Sequence, residues 1–185
     1  WFRNPGAGCS SSWEKRVIAM DDATGVLQVA DFDGDGDLDV VAAGNSDGIE
    51  WYENNAPLSV DPGDPALDQI WDSQVVDGVR TGGQFAVGDL DRDGDQDIAQ
   101  VQSSTVRLYA NNGTDSSWVM TELSRSGANI VEIEDLDEDG ALDVVVAVNS
   151  SDDANDGIDW FPAVREEVDV SGAYEAPTCT AVQGD

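Results

Sequence analysis

The sequence predicts an all-β chain built of β-propeller blades, each a four-stranded antiparallel sheet. Three observations carry that prediction. A segment with regularly spaced aspartates recurs at Val29–Val41, Val87–Ala99 and Ile133–Val145, with starts 58 and then 46 residues apart. The flanking segments alternate or cluster apolar residues as strands do, with no sustained 3.6-residue spacing. An aromatic segment and a Trp-led segment then follow the aspartates in the same order, and a repeat of this length built from short strands is the signature of a propeller blade.

Each strand of the unit has its own reading. Before the aspartates, Leu27 and Val29 alternate with Gln28 and Ala30, as do Phe85 and Val87, and Val131 and Ile133, with their neighbours. That period of two predicts a first strand packed chiefly on one face. After them come the continuous apolar runs Val40–Ala43, Ile98–Val101 and Val144–Val148. These predict a second strand covered on both sides. The third strand is the segment from Gly48 to Asn54, matched by Val106 to Asn111 and by Gly157 to Pro162. The fourth begins at Trp71, with Trp13 and Trp118 opening its counterparts. Large residues at alternating positions fill the space between blades, so these aromatics are expected in the core.

The units divide the chain. Residues 1–20 supply the third and fourth strands of a preceding blade, because Trp1-Phe2-Arg3-Asn4 matches Trp51-Tyr52-Glu53-Asn54. Residues 21–78 form repeat 1, 79–124 repeat 2 and 125–170 repeat 3, whose fourth strand is expected at Val164–Val170; 171–185 form a C-terminal tail. About three and a half blades do not close a ring, since propellers have 4–8. The sequence is therefore expected to be an excerpt of a larger propeller, with other blades of the same or neighbouring chains as partners.

Charge narrows the function. The 185 residues carry 39 acidic and 8 basic side chains, no histidine, and a formal charge of −31. A polyanionic partner would be repelled, so nucleic acid is excluded as a ligand. No run of 18 apolar residues exists to insert in a membrane. Without histidine the chain lacks the usual general base, and no nucleophile motif or phosphate loop replaces it, so no enzyme is expected. Such a charge opposes compaction, and either bound cations or high external salt would offset it.

The aspartates have the arrangement a hard cation needs. All three copies read Asp-x-Asp-x-Asp-Gly-x-x-Asp: Asp31, Asp33, Asp35 and Asp39; Asp89, Asp91, Asp93 and Asp97; Asp135, Asp137, Asp139 and Asp143. Ca²⁺ takes six to eight oxygens, and carboxylates two residues apart on a tight loop converge on one point. Gly36, Gly94 and Gly140 permit the sharp turn. One residue later stand Asp37, Asp95 and Ala141. Ala141 can serve there only through its backbone carbonyl. The last aspartate closes the cage. An EF-hand is excluded, because its twelfth position would be Ala42, Gln100 or Val146 instead of glutamate. Mg²⁺ prefers fewer protein ligands. About three Ca²⁺ ions, one per loop, are expected.

Strand, aspartate loop, second strand and aromatic strand in this order resemble the FG-GAP/VCBS-type repeat, over about residues 13 to 162. The resemblance implies calcium-binding β-propellers, as in integrin α-subunit heads and certain fungal lectins. It implies calcium in the loop between a blade's first two strands. It further implies an extracellular or cell-surface, secreted module for adhesion or structure, with a protein or glycan ligand. The alternative within the same resemblance is a carbohydrate-binding lectin, for which Trp51, Tyr52, Tyr109 and Trp160 are the candidate stacking residues. The integrin-type Phe-Gly and Gly-Ala-Pro signatures are weak, with Phe85-Ala86 the nearest match.

Two sequons, at Asn112 and Asn149, are candidate glycosylation sites. Cys9 and Cys179 can form one long-loop disulfide in an oxidising compartment, pair with neighbouring modules, or remain as two thiols.

Overall fold

The computed structural model describes residues 2–3, 14–19, 25–44, 48–55, 71–79, 83–113, 118–123, 126–149 and 156–163. Among them there is no helix, so none long and apolar enough to cross a membrane. Two short strands, β1 (Phe2–Arg3) and β2 (Glu14–Lys15), pair antiparallel ahead of three larger sheets. The first large sheet joins β3 (Gly25–Ala30), β4 (Asp39–Gly44), β5 (Gly48–Asn54) and β6 (Trp71–Asp77) in chain order. The second joins β7 (Phe85–Gly88), β8 (Asp97–Gln102), β9 (Thr105–Asn111) and β10 (Trp118–Leu123). The third comprises β11 (Ala128–Glu134), β12 (Asp143–Val148) and β13 (Gly157–Phe161). All pairings are antiparallel between chain neighbours, the meander of a propeller blade. The sheets are consecutive blades of an open β-propeller. The fourth strand expected at Val164–Val170 and the tail lie outside the described residues.

Local chemistry accounts for the meander. The second strands are rich in β-branched and small residues that fit a sheet covered on both faces. The burial pattern of β8 is continuous from Asp97 to Gln102. The hairpin between β8 and β9 turns on Ser103 and Ser104, both at positive φ (49° and 69°), the backbone of a two-residue primed turn. The Thr105 hydroxyl braces it by donating to the Gln102 carbonyl at 2.9 Å.

The core lies between the blades. One cluster unites Phe32, Val41, Ala43, Ile49 and Trp51 of the first blade with Phe85, Ile98 and Tyr109 of the second. The other unites Ala99, Val101 and Val106 of the second with Val131, Val144 and Val146 of the third. The middle strand of the second blade, β8, thus has one face in each seam, Ile98 in the first and Ala99 and Val101 in the second, as its apolar run predicts. In contrast, β4 enters the first seam alone and β12 the second alone. Trp51, Tyr52 and Tyr109 are buried, as expected of blade aromatics, whereas Trp160 is half exposed.

The first strand of the first blade departs from its sequence pattern. Leu27 and Val29 are 62% and 49% exposed, while Val26 and Ala30 pack into the first seam. The register gives the reason. Val29 lies beside Val40 and Tyr52, as Val87 lies beside Ile98 and Tyr109. In the second blade that face meets the preceding blade. In the first blade the described residues provide too little sheet to cover it.

Polar contacts pin the first seam. The Tyr109 hydroxyl donates to Asp77 Oδ2 at 2.5 Å, and Arg107 reaches the same oxygen at 3.3 Å. Burial and the carboxylate together push the Tyr109 hydroxyl well above its ordinary titration range. Three rings fill the adjoining space. Phe32 lies 6.4 Å from Trp51 and 6.3 Å from Trp118, and the two indoles meet edge to face at 6.5 Å. Phe32 is fully buried although it stands between two loop aspartates. Phe32→Ala is therefore expected to destabilise the fold by about 3–5 kcal/mol, a core aromatic truncation, measured by urea unfolding.

Candidate metal centre

Each aspartate loop joins the first strand of a blade to its second: Asp31–Leu38 links β3 to β4, Asp89–Gln96 links β7 to β8, and Asp135–Leu142 links β11 to β12. The loops wrap backbone N–H groups around their own carboxylates, as aspartate-rich turns do. Asp31 accepts from Gly34 at 2.9 Å and, through its other oxygen, from Gly36 at 3.0 Å. Asp89 accepts from Gly94 at 3.2 Å. Asp135 accepts from Asp139 at 3.1 Å and Gly140 at 2.9 Å. The third loop residue, Asp33, Asp91 or Asp137, accepts from the N–H two residues on.

The sixth position takes positive φ in every loop: Gly36 at 95°, Gly94 at 102° and Gly140 at 86°. Nothing lies within 4 Å of a Cβ built on any of them, so conformation alone demands glycine. The fourth position is left-handed too, and there the loops carry Gly34 (73°), Arg92 (67°) and Glu138 (59°). The motif as read in sequence does not mark this position, because two of its three occupants are not glycine. Arg92 also approaches Asp139 of the next loop at 3.9 Å.

The closing aspartates hold the architecture together. Asp39, Asp97 and Asp143 open the second strands and are 1%, 1% and 0% exposed. One oxygen of each accepts from the loop: Phe32 N–H at 3.1 Å, Leu90 at 2.7 Å and Leu136 at 3.0 Å. The other accepts from the end of the aromatic strand: Asn54 N–H at 2.8 Å, Asn111 at 2.8 Å and Ala163 at 2.8 Å. Sequence reasoning did not assign Asn54, Asn111 and Ala163 to the site. The shared Asn after the aromatic strand is a signal for the first two, and backbone donation explains how alanine serves in the third.

The expected ligands fall into two groups. Asp31, Asp33 and Asp39 bring one oxygen each within 4.8 Å of one another, as do Asp89, Asp91 and Asp97, and Asp135, Asp137 and Asp143. The fifth-position Asp35, Asp93 and Asp139 lie outside these triads. One oxygen of each caps the N–H of Asp37, Asp95 or Ala141, at 2.8, 3.0 and 2.7 Å. Asp37, Asp95 and Ala141 thereby have their backbone fixed by the loop.

Three carboxylates at such separation repel in proportion to their charge, and burial strengthens the repulsion. Burial first, then neighbouring carboxylates, raises the titration of Asp33 and Asp91. Burial also raises Asp39, against the two N–H groups it accepts, and pushes Asp97 up to about 6. Asp89 Oδ1 is buried with no hydrogen-bond partner, a polar atom that a cation would satisfy. The residues present therefore fit a hard divalent cation, which would be held by three carboxylates per loop. The loops, with their oxygen-only donors, can hold metal ions.

The remaining candidates scatter. Asn112 and Asn149 are exposed at strand ends. Cys9 and Cys179 lie outside the described residues.

Comparison with known proteins agrees with this architecture. The model of a family described as FG-GAP-like repeat matches residues 31–99 and 89–146. No curated protein matches the chain.

Two outcomes follow from the loop geometry. Gly94→Ala forces a Cβ into the left-handed region without a clash, and is expected to destabilise by about 1–2 kcal/mol in chemical denaturation. With metal chelated, Asp97 binds a proton in the folded state up to about pH 6, whereas the unfolded group releases it near 3.8. The folded state then holds the extra proton between those values, so metal-free stability falls as pH rises from 4 to 6. With the cation bound the carboxylate stays ionised, and that slope reverses because protons compete with metal. Thermal melts across this range, with and without chelator, check both signs.

Proposed function

The chain belongs to the FG-GAP-like repeat family, and from that premise we propose that it is a calcium-stapled β-propeller segment of an extracellular or surface glycoprotein, serving adhesion or structure without catalysis. The observation that carries this reading is the threefold convergence of first, third and ninth aspartates, each set at the hinge between a blade's first two strands. Calcium suits oxygen-only ligands on an adaptable loop better than magnesium does. Each ion ties the loop to a buried aspartate already bonded to the third strand, so metal binding stiffens a whole blade. Three ions carry the formal charge from −31 to −25, which relieves self-repulsion within the sheets. Weak sites suffice where external calcium is high, with Kd about 10⁻⁴–10⁻³ M.

An adhesive or structural role is preferred to the lectin reading because three of the four candidate stacking residues, Trp51, Tyr52 and Tyr109, are buried and unable to stack on a sugar, which leaves Trp160 as the one exposed candidate among them. The charge and the absence of histidine favour a non-catalytic module.

The test removes ligands without disturbing packing. Asp33→Asn, Asp91→Asn and Asp137→Asn each keep an oxygen for the loop N–H and lose a charge. In about 2 mM calcium, three sites of that affinity stabilise the wild type by about 2–5 kcal/mol, or about 4–20 °C in Tm. The triple variant is expected to lose this increment, yet to equal or exceed the wild type in chelator, where only repulsion distinguishes them. Identical calcium-induced shifts in both proteins would remove calcium from the account.

A further inference from the structure

The candidate metal loops of the first two blades are joined by an unbroken line of buried hydrogen bonds. It begins at Asp39, the closing aspartate of the first loop, whose Oδ2 accepts from the Phe32 N–H at 3.1 Å. The Phe32 carbonyl accepts in turn from the side-chain amide of Asn111 at 2.6 Å. The backbone N–H of Asn111 donates to Oδ1 of Asp97, the closing aspartate of the second loop, at 2.8 Å. All four residues are 6% exposed or less. The Asn111 amide is itself oriented, because its Oδ1 accepts from the Gly113 N–H at 3.1 Å. Phe32 stands between Asp31 and Asp33, two members of the first carboxylate triad. A change in that loop's conformation therefore displaces the carbonyl that Asn111 holds.

The third blade lacks this link. Register puts Ala163 at the place of Asn111, since Val144 pairs with Phe161 as Ile98 pairs with Tyr109. Ala163 keeps the backbone bond to Asp143 at 2.8 Å but has no amide to extend toward the second loop. Between those two loops Arg92 approaches Asp139 at 3.9 Å, a partly exposed pair of the kind that contributes little.

We propose that Asn111 couples the first two metal sites, so that an ion in one loop tightens binding in the other, while the third loop fills independently. The proposal rests on the calcium reading of the loops. Like charge drives each triad apart, and an ion that draws it together fixes the loop backbone. With the first loop fixed, the Phe32 carbonyl is fixed, and Asn111 with it. The second ion then meets a closing aspartate whose N–H partner is already ordered. The ordering cost falls on the first ion, and the second binds with less of it. The effect is reciprocal, whichever loop fills first. Asn111 is a positioning residue, acting through Asp97 and not as a ligand.

Nuclear magnetic resonance of the full chain during calcium titration reads each loop separately, because Gly36, Gly94 and Gly140 each donate an amide to the first aspartate of their own loop. Disabling the first loop with Asp33→Asn should raise the calcium midpoint of the Gly94 signal about fivefold, the low end of ordinary coupling between sites. Asn111→Ala should raise it similarly, and adding Asp33→Asn to Asn111→Ala should then change it little. The Gly140 midpoint should hold in all four proteins. Charge effects between loops act in both backgrounds, so the double-mutant cycle isolates the contribution of the amide. Ala163 shows that the backbone bond forms with an alanine side chain. Asn111→Leu, of similar size and without a donor, repeats the test should Asn111→Ala melt early. A Gly94 midpoint indifferent to Asp33→Asn, or shifted equally in both backgrounds, overturns the coupling while leaving calcium binding in place. A Gly140 midpoint that moves with that of Gly94 means general loosening and overturns it too. Glycine signals that ignore calcium overturn the calcium reading itself, and the coupling with it.

Discussion

A buried carboxylate with an N–H on each side is the constraint from which each blade is built. Asp39, Asp97 and Asp143 have almost no exposure, yet each opens a strand in the middle of a sheet. Placing an ionised group there is unfavourable unless it is hydrogen-bonded and paired. Two N–H donors supply part of the compensation, one from the loop and one from the end of the third strand. The same carboxylate is surrounded by two more aspartates of its own loop. Hydrogen bonds from N–H groups cannot cancel like charge at that separation, whereas a divalent cation can. The geometry of the strands and the chemistry of the site are thus consequences of one residue.

The seams depend on that arrangement. Phe32 enters the first seam from within an aspartate loop, so the loop's conformation decides whether the ring cluster with Trp51 and Trp118 can form. Asn111 donates its side-chain amide to the Phe32 carbonyl at 2.6 Å, coupling the loop of one blade to the third strand of the next. Loop order is therefore linked to packing between blades as well as within them. A repeat array of this kind gains its stability from nearest neighbours. Tying each loop to an adjacent seam makes neighbouring blades cooperative.

Much of this was legible in the residues because the repeats are present three times. The aspartate spacing, the glycine at the sixth position and the apolar second strand recur, and recurrence separates a constraint from an accident. The loops' triads are the first, third and ninth members of that pattern. Other features left no mark. The left-handed fourth position is occupied by Gly34, Arg92 and Glu138, and nothing in Arg92 or Glu138 announces a positive φ. The acceptor bonds of the closing aspartates come from backbone groups, which every residue has, so Ala163 could not be told from its neighbours.

The sequence by itself determined the strands, the loops and the grouping of carboxylates within each loop, because those follow from alternation, turn residues and carboxylate spacing within a few positions. Which face of each strand is buried was decided only by the tertiary structure. Leu27 and Phe85 occupy the same place in the repeat, and one is exposed while the other is covered. The same holds for Ile158 and Ile49. Alternation specifies that a strand has an apolar side, but burial requires a neighbour on that side, and a neighbour is a property of the assembled blades.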